Sequence, residues 1–394
     1  MNSVNRVGLV VSDDVDYGLD LANALYKKGM SVTLYLSLTQ ILYHLYGGCV
    51  QRNQANSDML IELLYKKSLV PEDCQVRLIH FPRMRNPRSL SVINDLRKKI
   101  CNDGLDVVHI LMGPGELWIA VLAILIRNLP IVSTLIIPVP NIGEKLPRKV
   151  LWGIAKILTI GSNLVIVNGT EQVGQVCNLY ALPQKKVVYI PLIPRAIAAK
   201  WADTQVEEQQ DSILFIGKAQ PRKGLEYLVK AQPLITDRVP NAKIVLATHG
   251  DDLTRCLHFI KDESKFEIHA DFLTAKEFAA YFQKASVVVL PYLSASTSGL
   301  LTTAYIFGKP VVSTNVGALS EYVQHGITGF LVPPADEKCL AEAIINILLD
   351  DKLRMEMGVR AKEWVIEEQL KVANQTKDSY ETAKIHFTKG LVSL

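Results

Sequence analysis

From residue 6 to about residue 350, short apolar runs alternate with amphipathic stretches of helical length, and this alternation limits the chain to very few folds. In the first half the runs predict strands at Val7–Val11, Ser31–Leu36, Val76–Phe81, Val107–Leu111, Ile131–Leu135, Leu164–Val167 and Val187–Ile190. Helical spacing fills the intervals at Asp16–Lys28, Ser89–Ile100, Glu116–Ile126, Arg148–Leu158 and Thr170–Tyr180. Repetition of this βαβ kind builds a parallel sheet with helices on both faces.

The pattern then starts again. Residues 192–211, ending in the polar run Thr204–Asp211, read as a linker, and Ile213–Ile216 opens a second series. Its strands continue at Lys243–Ala247, Phe266–His269, Val287–Leu290, Val311–Ser313 and Gly329–Val332, followed by helices at about 336–349 and 351–370. A length of 394 residues fits two domains, at roughly 100 to 200 residues each. The expected division is 1–195, a first Rossmann-like domain; 196–370, a second; and 371–394, a helical tail packing back on the first. Ligands of open parallel sheets sit beyond the carboxyl ends of the strands, so two such domains facing across a cleft put the chemistry there.

With 49% hydrophobic and 21% charged residues, disorder is excluded for the bulk of the chain. Charge is uneven: residues 1–195 carry 21 Lys+Arg against 14 Asp+Glu, net +7, and residues 196–394 carry 22 against 25, net −3, matching the overall +4. A basic half suits nucleic acid, an anionic membrane surface or an acidic substrate. No recognised nucleic-acid module or basic-aromatic array is present, so nucleic acid is not expected. The six cysteines form no C-x-x-C pair, which argues against a zinc site or disulfide framework. The first residues run into a strand without a charged-then-apolar signal pattern, and the expectation is a cytoplasmic chain. Leu117–Val139 is interrupted by Arg127, Asn128 and Pro130, and does not read as a membrane span.

Two segments carry the strongest local chemistry. In Phe215–Gly224, Gly217 allows a tight turn after a strand, while Lys218, Arg222 and Lys223 place three cations beside a helix start whose free N–H groups favour anions. The segment is either a diphosphate site or a solvated basic turn. After the strand Val287–Leu290, Pro291-Tyr292 leads to Ser296-Thr297-Ser298-Gly299-Leu300, whose hydroxyls and amides suit an anion on the same side of the sheet. Further on stand Gly308-Lys309-Pro310-Val311-Val312, Gly317-Ala318-Leu319-Ser320-Glu321 and Gly326-Ile327-Thr328-Gly329 leading to Pro333-Pro334.

In this order and spacing the second half resembles the retaining glycosyltransferases of family 4, which have the GT-B fold. The first half is similar more weakly, through strand order and Val165–Asn168 leading to Lys186–Pro191. The resemblance implies sugar transfer from a nucleotide-diphosphate-sugar with retention and without a cofactor or obligatory metal. It also implies that Lys218, where Arg is usual, and Lys223 bind the donor diphosphate and stabilise the leaving group. Preorganised cations can lower such a barrier by several kcal/mol. Lys keeps the charge of Arg without its bidentate geometry.

The departures are specific. Many members carry two glutamates seven residues apart, where this chain has Ala295 and Thr303. A subgroup with a Ser-x-Ser-Gly loop also lacks the pair, and the resemblance to it leaves phosphate to Ser296, Thr297, Ser298 and the Gly299 and Leu300 amides, with Thr303 as a weak ribose contact. His249, after the Lys243–Ala247 strand, lies near the expected donor base. On the acceptor side Ile136 stands where related sequences often have His. Asn141 and Glu144 either substitute there or belong to a surface loop.

In the first loop Asp13, Asp14, Asp16 and Gly18 suit acceptor hydroxyls, or Asp16 is simply a helix N-cap. Glu116 reads as a first-turn charge, His109 as a core histidine and Tyr292 as a packing residue. Lys145, Arg148, Lys149 and Lys156 flank Leu151, Trp152, Ile154 and Ile157. That helix either rests on anionic lipid or is a core helix with a solvated edge. The expectation is a hexosyltransferase of polysaccharide biosynthesis acting on a glycan or lipid-linked acceptor, with peripheral contact at the inner membrane face. The other reading is a catalytically impaired relative that binds a nucleotide-sugar or glycan as a partner subunit.

Overall fold

The computed structural model describes residues 3–46, 57–80, 89–113, 116–138 and 147–392. The chain divides into two compact units, one drawn from Met1–Leu45, Val50–Ile193 and Gln369–Leu394, the other from Pro194–Glu368. Each is built on one parallel sheet.

The first sheet contains β1 (Arg6–Val11), β2 (Ser31–Ser37), β3 (Gln75–Ile79), β4 (Val107–Met112), β5 (Ile131–Leu135), β6 (Leu164–Val167) and β7 (Val187–Tyr189), in the order β3-β2-β1-β4-β5-β6-β7. The second contains β8 (Ser212–Ile216), β9 (Lys243–Ala247), β10 (Phe266–His269), β11 (Val287–Leu290), β12 (Val311–Thr314) and β13 (Gly329–Val332), in the order β10-β9-β8-β11-β12-β13. Both orders reverse direction once, between β1 and β4 and between β8 and β11. That reversal is where doubly wound sheets open a crevice for ligands. Strands β4, β6 and β11 are buried along their whole length, as the unbroken apolar runs of β6 and β11 require of strands covered on both faces.

His109 interrupts β4 and is fully buried, with Nδ1 2.9 Å from the Tyr380 hydroxyl and Nε2 2.8 Å from Thr134 Oγ1. Both ring nitrogens are therefore satisfied, and burial pushes its pKa down to about 3, so the ring is neutral. It is a core histidine, as its apolar neighbours imply. Tyr380 belongs to a single helix, Asp351–Val392, rather than to a helix ending near 370 and a separate tail. Its residues Val372, Ala373, Tyr380 and Ala383 are buried in the first unit's part of the chain, where Glu381 also accepts the Val4 amide at 2.6 Å.

Several local expectations are corrected. The first helix, Val15–Tyr26, is capped by Asp14, whose carboxylate accepts the Tyr17 amide at 3.1 Å, so Asp16 is a first-turn residue and not the cap. Gly18 is buried against β1: a Cβ there would sit 2.5 Å from Val11 Cγ2, which makes it a packing glycine and not an acceptor contact. Two helices, Leu38–Tyr46 and Ser57–Lys66, occupy the interval between β2 and β3, which the sequence reading leaves without helices although Leu38, Ile41, Leu42 and Leu45 follow helical spacing.

Residues 192–211 are no loose linker. Ala196–Trp201 forms a 3₁₀ helix that buries Ile197 and Ala198. Glu208, in the polar run, pairs with Lys309 at 2.5 Å and with Arg354.

The basic helix forms over Arg148–Gly161 and buries Leu151, Ile154, Ala155 and Leu158 in the core, while Trp152 and Ile157 are half-buried. Lys149 and Lys156 stand on its exposed side, and Lys145 falls outside the described residues. The apolar stripe is therefore taken up by the protein's own interior. No described helix is long and apolar enough to cross a membrane.

Candidate functional site

The candidate donor residues gather at the reversal point of the second sheet. β8 and β11 are neighbours there, so the loops that follow them lie side by side. After β8, Gly217 turns at φ +95°, Pro221–Lys223 forms a 3₁₀ turn, and Gly224 at φ +63° starts the helix Leu225–Arg238. The left-handed backbone at Gly224 favours glycine, and the space demands it too: a Cβ would fall 1.9 Å from the Pro291 carbonyl oxygen.

The two loops are tied together by backbone bonds. The Arg222 carbonyl accepts the amides of Leu293 at 2.7 Å and Ser294 at 3.3 Å. Lys223 Nζ donates to the Tyr292 hydroxyl at 3.2 Å and sits 5.0 Å from that ring's centroid. The same hydroxyl lies 3.4 Å from Ser298 Oγ. Tyr292 is thus buried as packing requires, and its polar end joins the leading cation of one loop to the hydroxyl loop of the other.

Ser298 opens the helix Gly299–Ile306 without capping it through its side chain. The Gly299 and Leu300 amides precede the first helical hydrogen bond, from Leu301 to the Ser298 carbonyl. Such a helix start is a ready anion site. Ser296, Thr297, Ser298, Gly299 and Leu300 are all half-buried, and Leu300 reaches over Gly217, where a Cβ would meet its Cδ1 at 3.1 Å. The loop after β12 supports them from beyond: the Ala318 amide donates to the Ser296 carbonyl at 3.3 Å, and a Cβ on Gly317, φ +52°, would strike the Ala295 carbonyl oxygen at 1.8 Å.

Lys218 is exposed at the rim, while Arg222 and Lys223 are half-buried. His249 joins the group through its backbone, its carbonyl accepting the Ala219 amide at 2.8 Å, and its ring lies against Phe272 with centroids 4.2 Å apart. Burial and, secondarily, the Lys218 charge hold its pKa below the usual histidine value. Thr303 is different. It is fully buried and its hydroxyl donates to the Gly299 carbonyl at 2.8 Å, so the expected ribose contact is corrected to an internal helix bond.

A cation that sequence reasoning passed over stands at the same helix start. Arg195 presses its guanidinium on Gly299, where a Cβ would fall 2.0 Å from Arg195 Nε. Arg195 sits in the segment read as a linker, and its sequence neighbours carry no motif; only the fold brings it to residue 299.

At the reversal point of the first sheet the loops after β1 and β4 carry acids instead. Ser12 Oγ is hydrogen-bonded to the Glu116 carboxyl and lies 3.3 Å from the Leu111 carbonyl. Asp13 accepts from Gln40 Nε2 at 3.2 Å and crowds Gly113. Burial above all, with Asp13 adding to it, raises the Glu116 pKa to about 8. Glu116 is therefore not a plain solvated first-turn charge. Asp16 is half-buried in the first turn of its helix, whereas Asn141 and Glu144 lie outside the described residues.

Comparison with known proteins agrees with this geometry. Residues 210–350 match the family described as Glycosyl transferases group 1. The chain is 27% identical over 250 residues to an uncharacterized glycosyltransferase of Methanocaldococcus jannaschii, covering 60% of this chain and 64% of that relative. It is 28% identical over 291 residues to a D-inositol 3-phosphate glycosyltransferase of Pseudarthrobacter chlorophenolicus, covering 68% of each. Among solved structures, the Anabaena protein HepE in complex with UDP superposes with a TM-score of 0.61 at 15% identity, over 98% of this chain and 100% of that one. The chain thus has the GT-B fold, its residues 210–350 are similar to the Glycosyl transferases group 1 family, and it spans less than two thirds of the length of the Methanocaldococcus jannaschii relative.

Proposed function

We propose that the protein is a retaining, metal-independent and cofactor-free glycosyltransferase of family 4 that transfers a sugar from a nucleotide-diphosphate-sugar to a glycan or lipid-linked acceptor. The observation that carries this reading is the pair of loops after β8 and β11, locked together by the Arg222 carbonyl and the Lys223–Tyr292 contact. They assemble Lys218, Arg222 and Lys223 with an uncapped helix start and the Ser296–Ser298 hydroxyls, which is what a diphosphate dianion needs. Lys218 and Lys223 are assigned to stabilising the departing diphosphate. Gly217, Arg222, Ser296, Thr297, Ser298, Gly299, Leu300 and His249 are assigned to holding the donor. UDP in HepE supports a uridine-type donor for a chain of this fold.

In a retaining reaction the departing phosphate oxygen can take the acceptor proton, so Ile136 in place of a histidine is compatible with turnover. Relatives named D-inositol 3-phosphate glycosyltransferase and phosphatidyl-myo-inositol mannosyltransferase support a polyol or lipid-linked acceptor. A role in polysaccharide biosynthesis at the cytoplasmic membrane face belongs to the same reading.

One observation favours a second reading, a non-catalytic partner subunit that binds a nucleotide-sugar or glycan. Ala295 and the internally bonded Thr303 leave no carboxylate or free hydroxyl at the two positions usual for glutamates. Screening nucleoside diphosphates for thermal stabilisation, followed by donor turnover or hydrolysis assays, separates the readings. Stabilisation with turnover supports the enzyme; tight binding with no turnover of any donor supports the subunit; no stabilisation by any nucleoside diphosphate overturns both donor-site assignments.

A further inference from the structure

The long helix Asp351–Val392 turns one side inward and leaves an apolar stripe on another. Met357, Ala361 and Val365 are buried, and the Trp364 ring meets Tyr305 and Tyr322 edge-on with centroids 5.5 and 6.0 Å away, so this part of the helix is fixed on the second unit. On the outer side stand Met355, Val359, Ile366 and Leu370, exposed by 62%, 56%, 70% and 54%. Among the described residues only eight large apolar side chains are more than half exposed, and these are four of them. At about 100° per residue they fall within roughly 60° of one another, which makes them a continuous face and not scattered surface residues.

We propose that this face pairs the protein with a second copy of itself, the two helices lying antiparallel about a two-fold axis. Met355 stands as far before the midpoint of the stripe as Leu370 stands after it, and Val359 and Ile366 are placed in the same way. An antiparallel copy therefore sets Met355 against the second copy's Leu370 and Val359 against its Ile366, each contact made twice, as two-fold symmetry requires. Charge decides the direction. From Met355 to Lys362 the exposed charges are Glu356, Arg360 and Lys362, net +1; from Glu363 to Leu370 they are Glu363 and Glu367, net −2. Antiparallel pairing lays each half on the opposite sign, and parallel pairing would lay like on like.

One edge of the stripe is complementary in detail. Arg360, Glu363 and Glu367 share that edge, within about 60° of one another, and the two-fold axis brings the edge against its own copy. In the register set by the apolar contacts, Arg360 falls between Glu363 and Glu367 of the second copy, about 3 Å along the axis from each. Arg360 already holds its own Glu363 at 2.8 Å, so the added partner is the second copy's Glu367. Glu356, Glu363 and Glu367 beside the stripe disfavour an anionic lipid surface as its occupant. A stripe about 23 Å long is at the small end of protein interfaces, so the dimer is a reversible one.

Sedimentation velocity of the full chain between about 1 and 200 µM, the range in which a small interface dissociates, reads the pairing. The expected result is a concentration-dependent monomer–dimer equilibrium that Val359→Glu with Ile366→Glu weakens by roughly tenfold or more. Both positions are exposed, and an unchanged melting temperature reports an intact fold. Should that variant unfold, charge variants carry the test. Arg360→Glu and Glu367→Arg, made in separate chains, each set like charges together and should each weaken dimerisation. Mixing the two chains should restore it, because Arg360 and Glu367 positions then meet with opposite charges on both sides of the axis. A chain that stays monomeric throughout overturns the proposal, as does a dimer that neither the stripe variant nor the charge variants weaken, or a mixture no more dimeric than its parts. Stripe-dependent binding of the monomer to phosphatidylglycerol vesicles assigns the face to lipid and overturns it too.

Discussion

Lys223 Nζ lies 3.2 Å from the hydroxyl of Tyr292, and this contact joins the loops that follow two neighbouring strands. Tyr292 is 2% exposed, so the phenol is a fixed support that orients the ammonium without neutralising it. Removing the charge and removing the support should therefore differ in size. Lys223→Ala is expected to weaken UDP or GDP binding by roughly ten- to a hundredfold, the worth of a hydrogen bond to a charged group. Tyr292→Phe should cost only about 1 kcal/mol, roughly fivefold. Calorimetric titration of both variants checks this, and an unchanged affinity in Lys223→Ala removes the donor assignment.

Gly224 is required by the approach of the two loops. Alanine there meets both an unfavourable φ of +63° and the Pro291 carbonyl oxygen at 1.9 Å. Gly224→Ala should destabilise the second unit by about 2–4 kcal/mol, lowering its melting temperature by several degrees. Gly326, with φ +77° and nothing within 4 Å of an added Cβ, isolates the backbone term. Gly326→Ala should therefore cost less, and equal losses would show that the Pro291 contact contributes nothing.

Arg195 adds a cation at the start of the Gly299–Ile306 helix. Arg195→Gln is expected to weaken nucleoside diphosphate binding by roughly three- to thirtyfold, a range spanning a partly buried charge at a helix N-terminus. Arg195→Lys should recover part of the loss, because it restores charge but not the planar fork. Competition titrations with UDP measure both, and an intact affinity in Arg195→Gln would make the residue a packing element alone.

Glu116 should give the first unit a pH-dependent stability. Its pKa is raised to about 8, largely by burial, from an ordinary 4.5. The unfolded chain loses this proton at lower pH than the folded chain does, so the contribution is complete below pH 4.5. It declines as pH rises and is lost above about pH 8. Glu116→Gln, which cannot ionise, should thus gain on the wild type between pH 5 and pH 9, by at most about 1.4 kcal/mol per pH unit within the window. Denaturant unfolding at the two pH values tests this; parallel behaviour of the two proteins would show that the carboxyl is solvated.

How much of this was legible in the sequence depends on the range of the interaction concerned. Periodicity alone located the thirteen strands of the described residues, because a strand covered on both faces must be apolar along its length, as in Val287–Leu290. The cation loop Lys218–Lys223 and the hydroxyl loop Ser296–Ser298 were also visible, since each is a local strand–turn–helix signal with its own glycine. Exact cap geometry, side-chain packing and contacts between segments remote in sequence were not visible. Asp14 took the cap from Asp16 by backbone geometry, Gly18 and Thr303 were absorbed into packing and an internal hydrogen bond, and Glu208 of the polar run found Lys309 a hundred residues away.

The sequence by itself thus determined the two parallel sheets and the local chemistry of each loop, because periodicity and turn residues act over a few positions. Only the tertiary structure decided which groups meet: Arg195 on Gly299, Lys223 on Tyr292, and Glu208 on Lys309. Sheet order and helix path set those distances, and no local pattern encodes them. The basic excess of the first half reflects that difference. Composition left open whether it faced lipid, nucleic acid or substrate, while the fold buries the apolar stripe of the basic helix in the protein's own interior and leaves Lys149 and Lys156 exposed.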